Sequence, residues 1–295
     1  MESSIEVVCC QLAPVVGQFE ANIELVRDGI AAAVRDGAQL VVLPELATSG
    51  YVFRSEEEAR AAAVSVNGPE LTGWAAEAAR GSALVVGGFC ELGEDGRLYN
   101  SCALVDGEGV RAVYRKIHLW DEESTWFVPG SECAPVVETD LGRIGLAVCY
   151  DIEFPELTRG LALNGAELLA MPTNWPRGWA WDSDVPILTT LARSTAYLNR
   201  VYVALCDRGG SERGLDFEGG SVITSPDGRV LAGPPSLPGV AGAVLRATCD
   251  LTTARTKGTG TRNDAFADRR PELYPADLVS PPRSSASPSQ PAPAP

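Results

Sequence analysis

Histidine is almost missing from this chain: His118 is the only one in 295 residues. That scarcity excludes a His-rich metal centre and leaves one imidazole at most for a Ser-His-Asp or papain-like Cys-His hydrolase. Positive charge is also short. Lys and Arg number 24 against 39 Asp and Glu, a formal net charge of -15, which argues against nucleic acid or an anionic membrane as the main partner. No apolar run approaches the ~20 residues that span a bilayer. Residues 1–6 carry neither a basic segment nor an apolar signal core. The eight cysteines, at 9, 10, 90, 102, 133, 149, 206 and 249, contain no C-x-x-C pair and lack the dense spacing of a disulfide scaffold. Reduced thiols in a cytoplasm are therefore expected.

What is present centres on residues 145–163. An apolar run leads into Cys149, an acidic proline-containing segment follows, and 157–163 has helical character. This predicts a buried strand whose last residue is a thiol, followed by a helix whose N-terminus favours the thiolate. The other reading of Cys149 is a buried structural thiol. If it is a nucleophile, the shortage of histidine assigns its base to a carboxylate.

Elsewhere, strands are predicted at 7–12, 39–43, 83–90, 98–105, 110–114, 167–171, 201–206, 220–224, 229–232 and 241–247. Helices are predicted at 22–34, 56–66, 70–80 and 188–198. Hairpin signals at Asp106-Gly107 and Asp227-Gly228, beside helical crossovers, predict an α/β fold with mixed sheets. Glu45 closes the strand at 39–43, where α/β active sites gather, though it also suits a solvated loop. Lys116 lies among apolar residues, either as a semi-buried ammonium or on the surface. Trp175, Trp179 and Trp181 share one loop, which suggests a lid, a pocket wall or a subunit contact. The Pro/Ser/Ala-rich stretch 280–295 predicts a disordered tail after a single domain spanning 1–279.

Taken together, Pro44-Glu45, Arg115-Lys116-Ile117-His118-Leu119 and Val148-Cys149-Tyr150-Asp151 resemble the nitrilase superfamily of carbon–nitrogen hydrolases, in the family's order over about residues 4 to 275. The resemblance implies a four-layer α-β-β-α sandwich, a homodimer or larger homo-oligomer, and chemistry without a cofactor or metal. It matches Glu45 to the general base, Lys116 to the catalytic lysine, Cys149 to the nucleophile and Glu123 to a second glutamate. The backbone N–H of Tyr150 is then the natural second oxyanion donor, and Tyr51, Asn174 and Trp175 are expected at the substrate.

Cys-Tyr-Asp followed by Phe-Pro-Glu is similar to amidase-type branches, so a small-molecule amide is the expected substrate. Nitriles and N-carbamoyl amines are the alternatives, along with acyl transfer to an amine and a non-catalytic binding or assembly role. The segments Pro172-Thr173-Asn174-Trp175, Asp207-Arg208 and Glu212-Arg213-Gly214 resemble a bacterial amidase-like group of unassigned substrate. Glu153 stands where several carboxylate-handling branches carry arginine. With Asp182 or Asp184 it would favour a cationic amide; otherwise, with Glu156, it simply complements a helix dipole.

Overall fold

Alternation along the strands decides the layering. Val7, Cys9, Leu40, Val42, Val86, Cys102 and Leu104 point to one face of a sheet, where they pack with Ile144, Leu146, Leu168, Ala170 and Ala204 of a second sheet. The intervening residues Val8, Cys10, Val41, Leu43, Val85 and Ala103 point the other way, toward Val26, Ile30, Leu71 and Trp74. Successive side chains of a strand take opposite faces, so strands that are apolar throughout must be covered on both sides.

The structure, a computed structural model, describes residues 4–178, 185–235 and 239–274. Residues Met1–Lys257 form one compact unit and Gly258–Pro295 a second. The described part of the second unit holds a Gly258–Asp264 bridge and a short 3-10 turn, Pro271–Leu273. Trp179, Trp181, Asp182, Asp184 and the tail expected at 280–295 lie outside the described residues.

Two six-stranded mixed sheets make up the first unit. One runs Ala243–Asp250, Ser4–Gln11, Leu40–Val42, Leu84–Leu92, Leu98–Asp106, Gly109–Arg115. The other runs Val230–Ala232, Val222–Thr224, Tyr202–Cys206, Leu168–Pro172, Gly142–Leu146, Val136–Thr139. In each, three central strands are parallel and the outer strands are antiparallel, added by hairpins except where Ala243–Asp250 returns to Ser4–Gln11 and Val222–Thr224 to Tyr202–Cys206. The helices Phe19–Arg35 and Pro69–Ala79 cover the first sheet, and Ile187–Asn199 covers the second beside Pro155–Leu163. The chain is thus the α-β-β-α sandwich that the resemblance implies.

Several boundaries differ from the sequence reading. The strand before the nucleophile ends at Leu146, and Cys149 opens a 3-10 turn, Cys149–Glu153, ahead of the helix Pro155–Leu163. The helix predicted at 56–66 stops at Ala61, because Val64 turns to bridge Glu91 of the strand Leu84–Leu92. The edge strand Val136–Thr139 was not predicted, since only its pairing with Gly142–Leu146 marks it out. The glycine-rich segment 208–220 contains a small hairpin, Ser211–Glu212 with Leu215–Asp216.

Candidate active site

The parallel strands of both sheets deliver their C-terminal ends to one place, as open α/β sheets commonly do. Glu45 follows Leu40–Val42, Cys149 follows Gly142–Leu146, and Asn174 follows Leu168–Pro172. The Glu45 N–H donates to the Thr173 carbonyl at 3.4 Å, so the strand-end loops meet across the two sheets. Gly88 makes room for this approach: a Cβ there would stand 2.5 Å from the Glu45 Cα. Lys116 follows the strand Gly109–Arg115 and stays in register with it, its N–H donating to the Asn100 carbonyl at 2.8 Å.

Lys116 is fully enclosed. Its Nζ donates to Glu45 Oε1 at 2.7 Å and to Glu123 Oε1 at 2.8 Å. Asn100 Nδ2 donates to Glu45 Oε1 at 2.7 Å and more weakly to Glu123 Oε2 at 3.4 Å. The Tyr51 hydroxyl donates to Glu123 Oε1 at 2.7 Å, and the Trp120 N–H reaches Glu123 Oε2 at 3.3 Å. One ammonium therefore spans two carboxylates, and each carboxylate has a neutral donor of its own. The second oxygen of Glu45 is buried and has no hydrogen-bond partner among the described residues; nor has either amide atom of Asn174. Buried polar atoms without partners are uncommon and point to the place where a polar ligand would be received.

Burial pushes the Glu45 carboxyl up to about 7, although Lys116 pulls in the opposite direction. For Lys116, burial works against the ammonium, but Glu123 and Glu45 outweigh it and keep it protonated. Burial, followed by the charge of Glu45, raises the Cys149 thiol well above its ordinary value, and Lys116 only partly opposes this. The expected preference for thiolate is therefore corrected. The thiol is held protonated and hydrogen-bonds the Asn174 carbonyl at 3.6 Å, so it needs a base at the moment of attack. Cys149 also adopts φ +47°, a left-handed conformation that is costly for any residue but glycine.

His118 is not that base. Its Nδ1 lies 2.7 Å from Asp151 Oδ1, and its ring stacks on Phe154 with centroids 3.5 Å apart. Asp151 is buried. It also accepts the Tyr114 hydroxyl at 2.9 Å and the Val148 N–H at 2.9 Å. Asn100, Tyr114 and Asp151 were not assigned roles from sequence. Asp151 lay inside the quoted Cys-Tyr-Asp motif, whereas nothing in one sequence marks Asn100.

A cavity of about 380 Å³ opens onto Cys149, Tyr150, Asn174, Trp175, Trp120 and Glu153. A second, of about 350 Å³, reaches Tyr51 and Glu123 and shares Trp120 with the first. All eight residues expected at the site thus border one of these cavities or the carboxylate–ammonium cluster beside them. Among the described residues, no group of three or more His, Cys, Asp or Glu side chains could hold a metal ion. No helix among them is long and apolar enough to cross a membrane.

The model of the carbon-nitrogen hydrolase family matches residues 6–257. The chain belongs to that family. Among carbon-nitrogen hydrolases, it is 36% identical over 271 residues to a nitrilase of Pyrococcus abyssi, covering 92% of this chain and 99% of that protein. It is 35% identical over 222 residues to an (R)-stereoselective amidase of a Pseudomonas species, covering 75% of this chain and 77% of the relative. In structure it is similar to an amidase from a Nesterenkonia species, with a TM-score of 0.73 at 28% identity, covering 92% of this chain and 96% of that one. A mutant of that amidase carries acrylamide added to its active-site cysteine. At this level the chain is a hydrolase of the amidase-like branch.

Proposed function

We propose that the protein hydrolyses a small amide to its carboxylic acid and ammonia through a thioester on Cys149. The observation that carries this reading is the enclosed Lys116 ammonium, held between Glu45 and Glu123 beside a buried thiol. Amide hydrolysis by a covalent route needs a nucleophile, a proton carrier and positive charge for the oxyanion, and the cluster contains one of each without using histidine.

In the first half-reaction, Sγ attacks the amide carbon while Glu45 takes the thiol proton. The developing oxyanion is received by Lys116 and by the backbone N–H of Tyr150, the second residue of the turn that Cys149 opens. Glu45 passes the proton to the nitrogen, the C–N bond breaks and ammonia leaves. In the second half-reaction, Glu45 deprotonates a water that attacks the thioester, with Glu123 helping to place it. The acid leaves and the proton returns to Cys149. A carboxyl pushed up to about 7 suits a group that must accept and donate near neutrality.

The cavity favours a short amide between Trp175 and Trp120. The Glu153 carboxylate on its wall, also raised by burial, favours a neutral or cationic substituent over a carboxylate. The test is ammonia release from neutral, cationic and anionic amides, N-carbamoyl amines and nitriles, with Cys149→Ala alongside. Release from an amide that vanishes in the variant supports the reading. Turnover confined to nitriles, or retained in Cys149→Ala, contradicts it.

A further inference from the structure

The mechanism leaves the Asp207-Arg208 and Glu212-Arg213-Gly214 segments without a part, yet two of their side chains are among the most enclosed charges of the described residues. Arg208 and Glu212 are 0% and 2% exposed. Glu212 Oε1 accepts the Val16 N–H at 2.6 Å. Its Oε2 accepts the N–H groups of Tyr51 at 2.9 Å and Val52 at 2.8 Å, and Arg208 Nη1 at 3.0 Å. The remaining Arg208 donors are fixed too, Nη2 on the Pro14 carbonyl at 2.7 Å and Nε on the Gly209 carbonyl at 3.4 Å.

The same hairpin grips the Tyr51 segment by other means. Arg208 lies 4.1 Å above the Phe217 ring, and that ring makes a T-shaped contact with Tyr51, centroids 6.0 Å apart. Arg213 donates to the Val52 carbonyl at 2.9 Å. Gly50, at φ +81°, brings the backbone so close that a Cβ there would stand 2.5 Å from Glu212 Oε1. Backbone, ring and carbonyl of one short segment are all set from the 208–217 hairpin, and the far end of that segment is the Tyr51 hydroxyl on Glu123.

We infer that Glu212, held by Arg208, is a positioning residue of the active site: it fixes the Tyr51 segment so that the Tyr51 hydroxyl donates to Glu123. This rests on the proposed role of the Glu45–Lys116–Glu123 cluster. A carboxylate that collects several backbone N–H groups while paired to an arginine defines a loop position far more tightly than a solvated turn does. If Tyr51 moves, Glu123 loses a donor, Lys116 is drawn toward Glu123, and Glu45 becomes harder to ionise.

The test measures the rate at which iodoacetamide, itself a small amide, alkylates Cys149 as a function of pH, followed by peptide mass spectrometry to separate it from exposed Cys133. In the wild type the rate rises as the cluster gives up its proton. In Tyr51→Phe and in Glu212→Gln the rising limb is expected to move upward by about half a pH unit, the effect of weakening one hydrogen bond to a charged group. The double variant is expected to move no further than either single one. Arg208→Lys, which leaves Glu212 in place but removes the guanidinium fork that holds it, is expected to move the limb in the same direction, and this arm decides the matter if Glu212→Gln does not fold. Glu167→Gln, which removes another buried carboxylate paired to an arginine, is expected to leave the limb in place. A wild-type limb in Glu212→Gln or Arg208→Lys, or shifts that add in the double variant, would overturn the inference. Alkylation needs no turnover, so failure of every amide to react would refute the proposed reaction while leaving this readout intact.

Discussion

Asp151 folds back on the turn that carries the nucleophile: its Oδ2 accepts the Val148 N–H at 2.9 Å and so fixes the residue just before Cys149. The same carboxylate receives Tyr114 and His118, which flank Lys116 in sequence. One buried anion thereby ties the nucleophile's turn to the segment bearing the oxyanion cation. Asp151→Asn keeps the size but removes the charge and one acceptor. We expect a loss of about 1–3 kcal/mol in stability by urea unfolding, the cost of a buried partner left unmade. Activity is expected to fall even where the variant is fully folded. Wild-type stability in Asp151→Asn would show that the contact is not formed in solution.

Lys116 pairs with both Glu45 and Glu123, so Lys116→Met would leave two buried carboxylates facing each other. A loss of about 3–5 kcal/mol is expected on breaking a buried pair from one side. Lys116→Met combined with Glu123→Gln should recover part of that stability but none of the activity, because the oxyanion still lacks its cation. Recovery of both together would remove Lys116 from the chemistry.

The pH dependence of stability has a defined sign. Burial raises Glu45 to about 7, and it raises Asp207 to about 7 even though that carboxylate accepts the N–H groups of Gly220, Trp175 and Arg208. Both bind protons in the folded chain across a range in which the unfolded chain has already released them. Their contribution is present below the ordinary carboxylate range and is lost as pH rises toward about 7. The thermal midpoint should therefore fall between about pH 5 and pH 8, and Asp207→Asn should flatten that fall. Calorimetry across that range checks it; a midpoint that rises would contradict the raised carboxyls.

The left-handed backbone at Cys149 separates two inactive variants. Cys149→Ala keeps a Cβ at φ +47°, whereas Cys149→Gly removes the steric conflict. The glycine variant is expected to be the more stable by about 1 kcal/mol. Denaturant midpoints compare them directly, and an alanine variant as stable as glycine would mean that the turn relaxes without the thiol.

Much of this arrangement was legible in the chain itself. Apolar strands alternating with helices and hairpins indicated an α/β fold with mixed sheets, and strand-end positions drew attention to Glu45 and Cys149; the four layers came from the family resemblance. Lys116 was marked by its apolar neighbours and by the family resemblance. What stayed hidden depends on contacts distant in sequence. Asn100 is an ordinary strand residue until Lys116 pairs beside it. Glu212 lies 161 positions from the Tyr51 N–H it holds. The suppressed thiolate was hidden for a related reason: proximity to a helix start suggested activation, but enclosure beside Glu45 outweighs it.

The central claim is that the amide carbon becomes bonded to Cys149 before water reaches it. Rapid-quench mass spectrometry of the enzyme mixed with its preferred amide tests this most directly. The account predicts a transient mass increase equal to the acyl group, located on the peptide containing Cys149, with ammonia released in step and ahead of the free acid. Release of ammonia and acid together, with no adduct at any time and turnover surviving in Cys149→Ala, would contradict it.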